Sequence, residues 1–317
     1  MILVAGESLI DLIVEADGQL RAKPGGGPFN AARTIARLGH PAQFLGRFST
    51  DPFGQLLMGR LSEDGVNLVL PDPVDNPTAL ATVAVSALGV PRYWFHLAGT
   101  AGFLLDRLTA QRALDTGLTA LHVGTLGLVV EPMATELERM TASLPRTALL
   151  LLDPNCRPQA IPDAGAYLAR IWRILPRADL VKVSVEDLAF LTPGASVPDA
   201  ARVLIGAGAG TVLVTDGPAI VRIFAGTEHL AVPVPPADVV DTVGAGDAFG
   251  GSFLAWWVEH GLGRDRLADP AQLRAAATAA ARVASVTCSR AGADPPWRHE
   301  LPASDGWGPV PVQPGST

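Results

Sequence analysis

DTVGAGDAFGGSFLA, at residues 241–255, is the stretch on which the interpretation of this chain depends. Gly244, Ala245 and Gly246 precede a run whose apolar residues recur at helical spacing, so the chain turns tightly on glycine into a helix. At such a helix start, unpaired backbone N–H groups and the positive end of the helix dipole form an anion site. Asp247 lies in the first turn, where a carboxylate is either a helix cap or an acid beside the bound anion.

The same stretch resembles the C-terminal signature D-T-x-G-A-G-D-x-F of the PfkB, or ribokinase-like, family of carbohydrate kinases. In that family the second Asp is the general base that takes the proton from the sugar hydroxyl, which here implies Asp247. The resemblance also implies that the Gly244, Ala245 and Gly246 amides hold the charge that develops on the transferred phosphoryl group. The geometry of a helix start alone indicates an anion site with an adjacent acid. The resemblance adds the expectation of kinase activity.

Composition limits the possible classes of protein. The 317 residues suffice for a single large α/β domain. The formal charge of −7, from 24 basic and 31 acidic residues, provides no basic surface for nucleic acid or anionic lipid. The only cysteines, Cys156 and Cys288, argue against a disulfide framework. Neither a basic signal-peptide region nor a membrane-length apolar run occurs, so we expect a cytoplasmic protein.

Two phosphate-binding motifs are excluded. The only lysines are Lys23 and Lys182, and neither lies in a P-loop or a protein-kinase signature. Phosphate would therefore be bound by glycine amides, arginine and metal. The glycine-rich run Gly206–Gly210 comes after a predicted helix and before a strand, whereas a dinucleotide loop must follow a strand and open a helix. It is interpreted as a flexible helix C-terminus.

Short apolar strands alternate with helical stretches along most of the chain, which predicts βαβ crossovers and a mostly parallel sheet covered on both faces. The predicted strands are Ile2–Val4, Gln43–Gly46, Ala120–Val123, Ala148–Leu152, Leu180–Val183 and Thr211–Thr215. The predicted helices are Pro28–Leu38, Asp51–Asp64, Pro132–Ser143, Ala164–Leu175, Val185–Leu191, Pro198–Ile205, Asp247–His260 and Ala271–Cys288. We expect an α/β, ribokinase-like three-layer sandwich as a single kinase domain over residues 1–317. The Pro/Gly-rich tail from Trp297 is expected to wrap loosely or fray.

Two β-rich pieces, Leu9–Arg21 and Ala79–Leu97, do not fit this alternation. The second is predicted to be a hairpin with a Gly-Val-Pro turn at 89–91, while residues 18–27 are predicted to form a glycine-rich turn. The β-rich pieces form either a small separate sheet, a lid over segments of about 9–22 and 78–98, or edge strands of the main sheet. Lids in the family often pair, so a homodimer through the lid is a further expectation.

Motifs near the N-terminus also resemble the family, in its fructokinase-like branch. GGGPFN at residues 25–30 resembles G-G-x-P-x-N, in which Gly26 and Gly27 let the backbone approach a polyol and Asn30 can donate and accept hydrogen bonds. The earlier GESLID resembles an element whose acid, here Asp11, holds sugar hydroxyls. Taken singly, these residues also suit an ordinary turn or a solvated strand edge.

The sequence DPNCR at residues 153–157 resembles the D-x-N-x-R element at the carboxyl end of a strand, where open α/β sheets bind ligands. The resemblance implies that Asn155 contacts substrate. In a chain with so few lysines, Arg157 is the best candidate cation for the transferring phosphate. By itself it would also suit a surface ion pair.

The sequence KVSVED beginning at Lys182 resembles an element near the nucleotide phosphates and magnesium, which implies roles for Lys182 and Ser184 in binding ATP. Asp187 stands where most members carry Glu, so it would reach Mg²⁺ through a water. Thr215 and Gly217 resemble the T-x-G turn that lines the nucleotide. Each segment alone would also suit a strand end or a turn.

The late sequence TCSRAGA, at residues 287–293, resembles the segment beside adenine and implies a nucleotide contact at Gly292. In many members its carbonyls, with the residues equivalent to Asp241 and Val243, hold a monovalent cation, so K⁺ is a further expected ligand. Taken singly, this segment is also typical of a helix C-terminus. The motifs follow the family's order from Gly6 to the end of this segment, which strengthens the resemblance.

The expected activity is ATP-dependent transfer of the γ-phosphoryl group to a sugar hydroxymethyl oxygen, with a fructose-like ketose as the substrate. YWFHL at residues 93–97 departs from the fructokinase pattern F-x-F-Y-R, because His96 replaces Tyr and Leu97 replaces Arg. Trp94 and Phe95 could stack on the sugar or on a partner's lid. Alternative functions are a kinase for 2-keto-3-deoxygluconate, another sugar or a nucleoside, a non-catalytic regulatory homologue, and a nucleotide-binding protein without kinase activity.

Overall fold

The computed structural model of this chain describes residues 1–15, 17–85 and 91–308. The strands are β1 (Ile2–Ala5), β2 (Leu9–Val14), β3 (Leu20–Gly25), β4 (Ala42–Leu45), β5 (Asn67–Leu68), β6 (Leu80–Val85), β7 (Pro91–His96), β8 (Ala120–Gly124), β9 (Leu149–Asp153), β10 (Leu180–Ser184), β11 (Thr211–Asp216), β12 (Ile220–Ala225) and β13 (Glu228–Pro233). The α-helices are α1 (Gly27–Arg37), α2 (Pro52–Glu63), α3 (Arg107–Leu114), α4 (Met133–Ser143), α5 (Ala164–Ile174), α6 (Val185–Leu191), α7 (Val197–Gly206), α8 (Ala245–Glu259) and α9 (Pro270–Cys288).

The larger sheet has the strand order β13-β12-β11-β10-β9-β8-β1-β4-β5. All pairs from β11 to β5 are parallel, and β12 and β13 add an antiparallel hairpin at one edge. The strand β9, with sequence LLLLD, is buried throughout, as expected for a parallel strand covered on both faces. The predicted mostly parallel sheet is therefore confirmed, although the sequence analysis did not identify the β12–β13 hairpin or α3.

Helices cover both faces of this sheet. On β1, Ile2 and Val4 pack into a core with α1, α2, α8 and α9, whereas Leu3 and Ala5 pack into a second core with α3 to α7. Alternate side chains of a strand point to opposite faces, which separates the two cores. The three-layer α/β sandwich is confirmed.

The smaller sheet has the order β3-β2-β6-β7 and is separate from the larger one, so the lid interpretation holds against the edge-strand alternative. β6 and β7 form the predicted antiparallel pair, and residues 89 and 90 of the predicted turn lie outside the described residues. The prediction of a turn over residues 18–27 was wrong, because Leu20–Gly25 forms β3 against β2. Pro24 is tolerated there because β3 is an edge strand, where a missing N–H donor leaves no partner unsatisfied.

The expectation of a loose tail from Trp297 was wrong for the part that the structure describes. Leu301 and Trp307 are buried, and the indole N–H of Trp307 donates to the Ala279 carbonyl at 3.1 Å. Apolar side chains spaced through a proline-rich segment thus pack against α8 and α9; residues 309–317 lie outside the described range. Gly206 ends α7, as predicted for the glycine-rich run.

Candidate active site

A cavity of about 510 Å³ lies at the carboxyl ends of the parallel strands. Residues after β1, β8, β9, β10 and β11 form its floor, the first turns of α1 and α8 form one wall, and the lid sheet covers it with side chains from β2, β6 and β7. The cavity therefore lies where open α/β sheets bind ligands. Fourteen of the residues predicted for substrate, nucleotide or catalysis line it: Asp11, Gly26, Gly27, Asn30, Phe95, Asn155, Arg157, Lys182, Ser184, Thr215, Gly217, Gly244, Gly246 and Asp247.

Asp247 is buried in the first turn of α8, and its carboxylate accepts a hydrogen bond from Asn30 Nδ2 at 2.9 Å. No backbone N–H among the described residues donates to this carboxylate, so it is not a helix cap. Burial raises the pKa of Asp247, and Lys182, the Asn30 hydrogen bond and Arg157 lower it again. The arrangement holds a carboxylate of increased basicity at the cavity surface.

The start of α8 presents free donors to the cavity. Gly244 is the N-terminal cap residue with φ of 79°, a left-handed conformation that favours glycine. The N–H groups of Gly246 and Asp247 have no acceptor among the described residues, whereas that of Ala245 reaches the Thr242 carbonyl at 3.3 Å. The predicted anion site thus has two free amides, with Ala245 already partly engaged.

Lys182 supports this helix start from below. Its ammonium lies 3.1 Å from Asp153 Oδ2, and both side chains are buried. A Cβ atom at Gly246 would come within 2.8 Å of Lys182 Nζ, so a larger residue there would displace the ammonium from its present position. Burial lowers the pKa of Lys182, but Asp153, Asp187 and Asp247 raise it on balance, which keeps a fixed positive charge beneath the free amides.

Sequence reasoning missed two buried groups on the cavity floor. Glu7 accepts hydrogen bonds from the Thr125 hydroxyl and, at 2.8 Å, from the Gly127 N–H. Thr125 has φ of 57°, rare for a residue with a branched side chain, and its position is held by that bond. The contact forms because β1 pairs with β8, which is distant in sequence. The only signal of it in the sequence was the acid of the GESLID motif.

Three acids at or beside the cavity have strongly perturbed pKa values. Burial raises the pKa of Glu7 to about 7, and burial followed by the Asp247 charge raises that of Asp11 to about 6. Burial also raises the pKa of Asp153 to about 7, although Lys182 opposes the shift. His122, on β8, has no hydrogen-bond partner for either ring nitrogen among the described residues, and burial lowers its pKa to about 3. The histidine is therefore neutral.

The lid side of the cavity combines polar groups with aromatic rings. Asn30 Oδ1 is buried without a donor among the described residues, so one acceptor is available to a ligand hydroxyl. Asn155 lies in a left-handed conformation with φ of 40° and lines the same space. Phe95 and Tyr93 stack with ring centroids 5.9 Å apart on the lid. Such a surface suits a neutral polyol.

Arg157 and the predicted nucleotide residues Ser184, Thr215 and Gly217 line the same cavity. Among the described residues, Arg157 donates only to the Cys156 carbonyl, at 3.2 Å, and forms no ion pair, so its guanidinium is available to a phosphate. The Ser184 hydroxyl caps α6 by accepting from the Asp187 N–H at 3.0 Å. That hydroxyl therefore already has a structural role.

The carboxylates of Asp187 and Glu186 differ in whether they are free to bind a ligand. Both Asp187 oxygens accept backbone hydrogen bonds, from Cys156 at 2.6 Å and from Ser184 at 2.8 Å. Glu186 is exposed, lines the cavity and has no partner among the described residues, which sequence reasoning overlooked. Glu186 is thus the acid that is free to approach a metal ion, whereas the predicted Asp187 ties the segment after β9 to the start of α6.

The chain matches the pfkB family carbohydrate kinases over residues 1–300. The chain belongs to the PfkB family. It is 33% identical over 309 residues to a protein of Arabidopsis thaliana described as "Probable fructokinase-5", and the match covers 93% of each chain. The chain is therefore a sugar kinase, a phosphotransferase that acts on an alcohol group.

Solved structures show the same fold. A fructokinase from Xylella fastidiosa with bound ATP superposes with a TM-score of 0.83 at 29% identity, covering 92% of this chain and 93% of that one. An aminoimidazole riboside kinase from Salmonella enterica, crystallised with aminoimidazole riboside and an ATP analog, superposes with a TM-score of 0.76 at 23% identity, over 92% and 94% of the two chains. The ribokinase-like fold predicted from the motifs is confirmed.

The predicted monovalent-cation residues of this PfkB kinase lie beside the cavity. Asp241 accepts from the N–H groups of Val243 at 3.1 Å and Gly292 at 2.9 Å. The same carboxylate pairs with Lys23 of the lid at 3.2 Å. An ammonium thus occupies part of the coordination that a K⁺ ion would need, and the role of this group in binding K⁺ stays a prediction. Gly292, Asp241 and Ala245 do not line the cavity, although Val243 does.

The departures from the fructokinase lid pattern fall outside the cavity. His96 is exposed on the outer face of the lid, and Leu97 is buried in the core against α3 and α4. Trp94 also lies on the outer face, with 46% of its surface exposed and the Arg92 guanidinium 5.5 Å from its ring centroid. Of the two aromatic residues considered for the sugar, only Phe95 faces the cavity.

Across residues 1–15, 17–85 and 91–308, none of the helices is both long enough and apolar enough to cross a lipid bilayer.

Proposed function

We propose that this chain is an ATP-dependent kinase that transfers the γ-phosphoryl group to a hydroxymethyl oxygen of a fructose-like ketose. The observation that carries the proposal is the pairing of Asp247 with the free amides at the start of α8. A buried carboxylate of raised pKa can accept the hydroxyl proton, and the amides beside it can stabilise an anion. Both groups point into one cavity that is large enough for a sugar and a triphosphate.

Each residue has a distinct role in this scheme. Asp247 orients the acceptor hydroxyl and takes its proton as the oxygen attacks phosphorus. The Gly246 and Asp247 amides, with the free guanidinium of Arg157, stabilise charge on the transferring group. Lys182 contributes fixed positive charge from below, and Thr215 and Gly217 line the nucleotide side. The lid excludes water and so suppresses ATP hydrolysis.

Magnesium fits the same cavity in a particular way. No group of three or more His, Cys, Asp or Glu side chains within the described ranges could hold a metal ion, so the protein does not enclose Mg²⁺ in a cage of its own ligands. Mg²⁺ typically keeps several waters and uses one or two carboxylates with substrate phosphates, and Glu186 is the free carboxylate at the nucleotide side. Glu186 would hold the ion, which would supply positive charge beside the phosphates. Asp187, whose two oxygens already accept backbone hydrogen bonds, would reach the ion only through a water.

A neutral sugar fits the substrate side best. Glu7 and Asp11 line that part of the cavity and would repel a carboxylate or a phosphate group, which argues against 2-keto-3-deoxygluconate and sugar phosphates. Asp11, Asn30 and Asn155 supply hydrogen bonds for hydroxyls, and Phe95 supplies an apolar face. The substituted lid residues His96 and Leu97 remove no cation from the cavity. These contacts, with the similarity to proteins named as fructokinases, support fructose.

A substrate panel tests the proposal. ADP formation is measured with ATP and Mg²⁺ against fructose, 2-keto-3-deoxygluconate, ribose, tagatose, inositol and nucleosides, with ³¹P NMR of the product to locate the ester. We expect turnover with fructose and an ester on a hydroxymethyl oxygen. Turnover with another sugar alone would correct the substrate. The absence of turnover with every acceptor would favour a regulatory or nucleotide-binding protein.

We further propose that the chain forms a single kinase domain over residues 1–317 and dimerises through the outer face of the lid. Trp94 and Leu20 are exposed there, 46% and 61% respectively, and Leu12 and Val14 lie on the same face and are half-buried. Sedimentation should give a dimer mass for the native chain and a monomer mass for Trp94→Asp. A native monomer would refute the dimer. The two free cysteines are consistent with a cytoplasmic location.

A further inference from the structure

A second cavity, of about 300 Å³, lies at the opposite end of the sheet, where β10 and β11 begin. Its charged lining residues are Arg146, Arg177, Asp179, Arg264 and Asp265. No residue of the kinase cavity lines it, and the proposed phosphoryl transfer uses none of its side chains. Ligands of open α/β sheets ordinarily bind at the carboxyl ends of strands, so a charged cavity at the amino ends needs its own explanation.

The cavity holds more positive than negative charge in a protein of net charge −7. Asp179 is buried and accepts from Arg177 Nη1 at 2.8 Å and from the Leu150 N–H at 2.7 Å. It also accepts from both Nε and Nη2 of Arg264, the latter at 2.9 Å, which leaves the Nη1 group of Arg264 for a ligand. One carboxylate is therefore shared by two guanidinium groups. Asp265 is exposed at the rim and has no partner among the described residues.

Arg146 is the third arginine that lines this cavity, and it does not pair with Asp179. It is exposed and has no hydrogen-bond acceptor or ion-pair partner among the described residues, although it lies near two other cations. Arg177 is itself 8% exposed, and its Nε is buried without an acceptor there. Burial lowers the pKa of Arg177, Asp179 raises it, and the charges of Arg264 and Arg146 lower it further. Arginines held close together without enough carboxylate are stabilised by a bound anion.

The glycine-rich run between α7 and β11 forms another wall of this cavity. Gly208, with φ of 108°, and Gly210 line it together with Gly226, so this side carries no bulky side chains. Glycine is required at position 210 for a structural reason, because a Cβ atom there would approach the Asp179 carbonyl to 2.6 Å. The absence of a side chain at this position also keeps the cavity open beside the arginines. A motif that is not a dinucleotide loop thus borders a cationic cavity.

We propose that this cavity binds a small molecule that carries a phosphate group, with the phosphate on Arg146 and Arg264. Guanidinium groups bind phosphate through paired hydrogen bonds, and a cavity of this volume admits a small phosphate ester or a short polyphosphate. Asp265 at the rim lies where it can accept from ligand hydroxyls.

Isothermal titration calorimetry with inorganic pyrophosphate tests the site. The protein is first saturated with a non-hydrolysable ATP analogue and Mg²⁺, so that the amides of α8 are occupied, and pyrophosphate is titrated from a solution matched in free Mg²⁺. We expect one remaining saturable site, weakened at least about tenfold in Arg146→Gln and less in Arg146→Lys, because the loss of a charge-assisted hydrogen bond has about that effect. Kinase kcat/KM should be unchanged in both variants.

Arg202→Gln is the matched control, because Arg202 is an exposed arginine of α7 that pairs with Asp199 outside the cavity. Its affinity for pyrophosphate should equal that of the native protein. An equal loss in Arg202→Gln would mean non-specific attraction, and the absence of a saturable second site in the native protein would overturn the proposal outright. Neither result would bear on the kinase activity, which is measured separately.

Discussion

The two ends of the parallel sheet carry cavities of opposite charge. At the carboxyl ends, five carboxylates, those of Glu7, Asp11, Glu186, Asp187 and Asp247, face the two cations of Arg157 and Lys182. At the amino ends, three arginines face two aspartates. Both cavities are bordered by glycine-rich turns, and only one of those turns opens a helix.

This difference determines what each cavity can bind. A triphosphate that enters a carboxylate-rich cavity needs a divalent cation and directed backbone donors, because the surrounding charges would otherwise repel it. A cavity with excess guanidinium can bind phosphate directly. Burial is the largest cause of the raised pKa values of Glu7, Asp11 and Asp153, and the charge of Asp247 raises each of the three further. Substitutions of the acids in the first cavity can separate the roles that the structure indicates for them.

Asp247→Asn should have the largest effect. It removes the proton acceptor while keeping the shape of the side chain, so kcat should fall by about 10²- to 10⁴-fold. The thermal unfolding midpoint and the affinity for ATP should change little, because burial of this carboxylate already opposes its charge. A coupled assay of ADP formation measures kcat, and a melting curve measures the thermal unfolding midpoint. Near-native turnover would show that Asp247 is not the general base, and the first cavity would then have no identified proton acceptor.

Lys182→Met should act on stability first. It leaves Asp153 buried without its cation, and breaking a buried ion pair costs about 3–5 kcal/mol. The loss should be larger at pH 8 than at pH 6. Burial raises the native Asp153 pKa to about 7 while Lys182 holds it down, so removal of Lys182 leaves that pKa higher, and the buried carboxyl loses its charge by taking up a proton as the pH falls. Urea unfolding at the two pH values measures it.

The double variant Lys182→Met/Asp153→Asn is the control, since it removes both charges. It should recover most of the lost free energy of unfolding. A double variant as unstable as the single one would show that packing, rather than charge pairing, accounts for the loss.

Glu7→Gln should change how stability depends on pH. The native pKa of Glu7 is about 7 against an ordinary value of 4.5, so the folded state binds more protons than the unfolded state between those values. The contribution is fully present below about pH 4.5 and is lost as the pH rises through about 7, amounting to at most about 3 kcal/mol. Urea unfolding from pH 5 to 8 should show a shallower decline for Glu7→Gln. Glu228→Gln, at an exposed residue of β13, should keep the native slope.

Glu186→Gln should have the smallest effect. If Glu186 is the free carboxylate for the metal ion, Mn²⁺ binding in the presence of an ATP analogue should weaken about tenfold, as measured by electron paramagnetic resonance of the free ion. Folding should be unaffected, because this side chain makes no contact that the described structure depends on. Asp199→Asn, at an exposed acid of α7, serves as the control. Unchanged Mn²⁺ affinity in Glu186→Gln would return the metal role to Asp187.

Much of the site could be predicted because ligand-binding turns are local. The helix start at Gly244, the GGGPFN turn and the strand ends at Asn155 and Arg157 each depend on a few consecutive residues. The strand β3 was missed because its pairing with β2 comes from a distant segment, and a glycine- and proline-containing sequence by itself favours a turn. The tail was misjudged for the same reason, since burial of Trp307 needs α9 beside it.

The amino-acid sequence by itself determined the fold class, the family and the position of the acid proposed as general base, because repeating strands and a glycine-led helix start are encoded in consecutive residues. Only the tertiary structure decided which of two adjacent acids is free, since Asp187 accepts from backbone donors of the segment after β9 and of β10 while Glu186 does not. It also placed Lys182 beneath Gly246 and gathered Arg146, Arg177 and Arg264 from separate loops. Charge and burial depend on neighbours in space, and sequence order does not specify those neighbours.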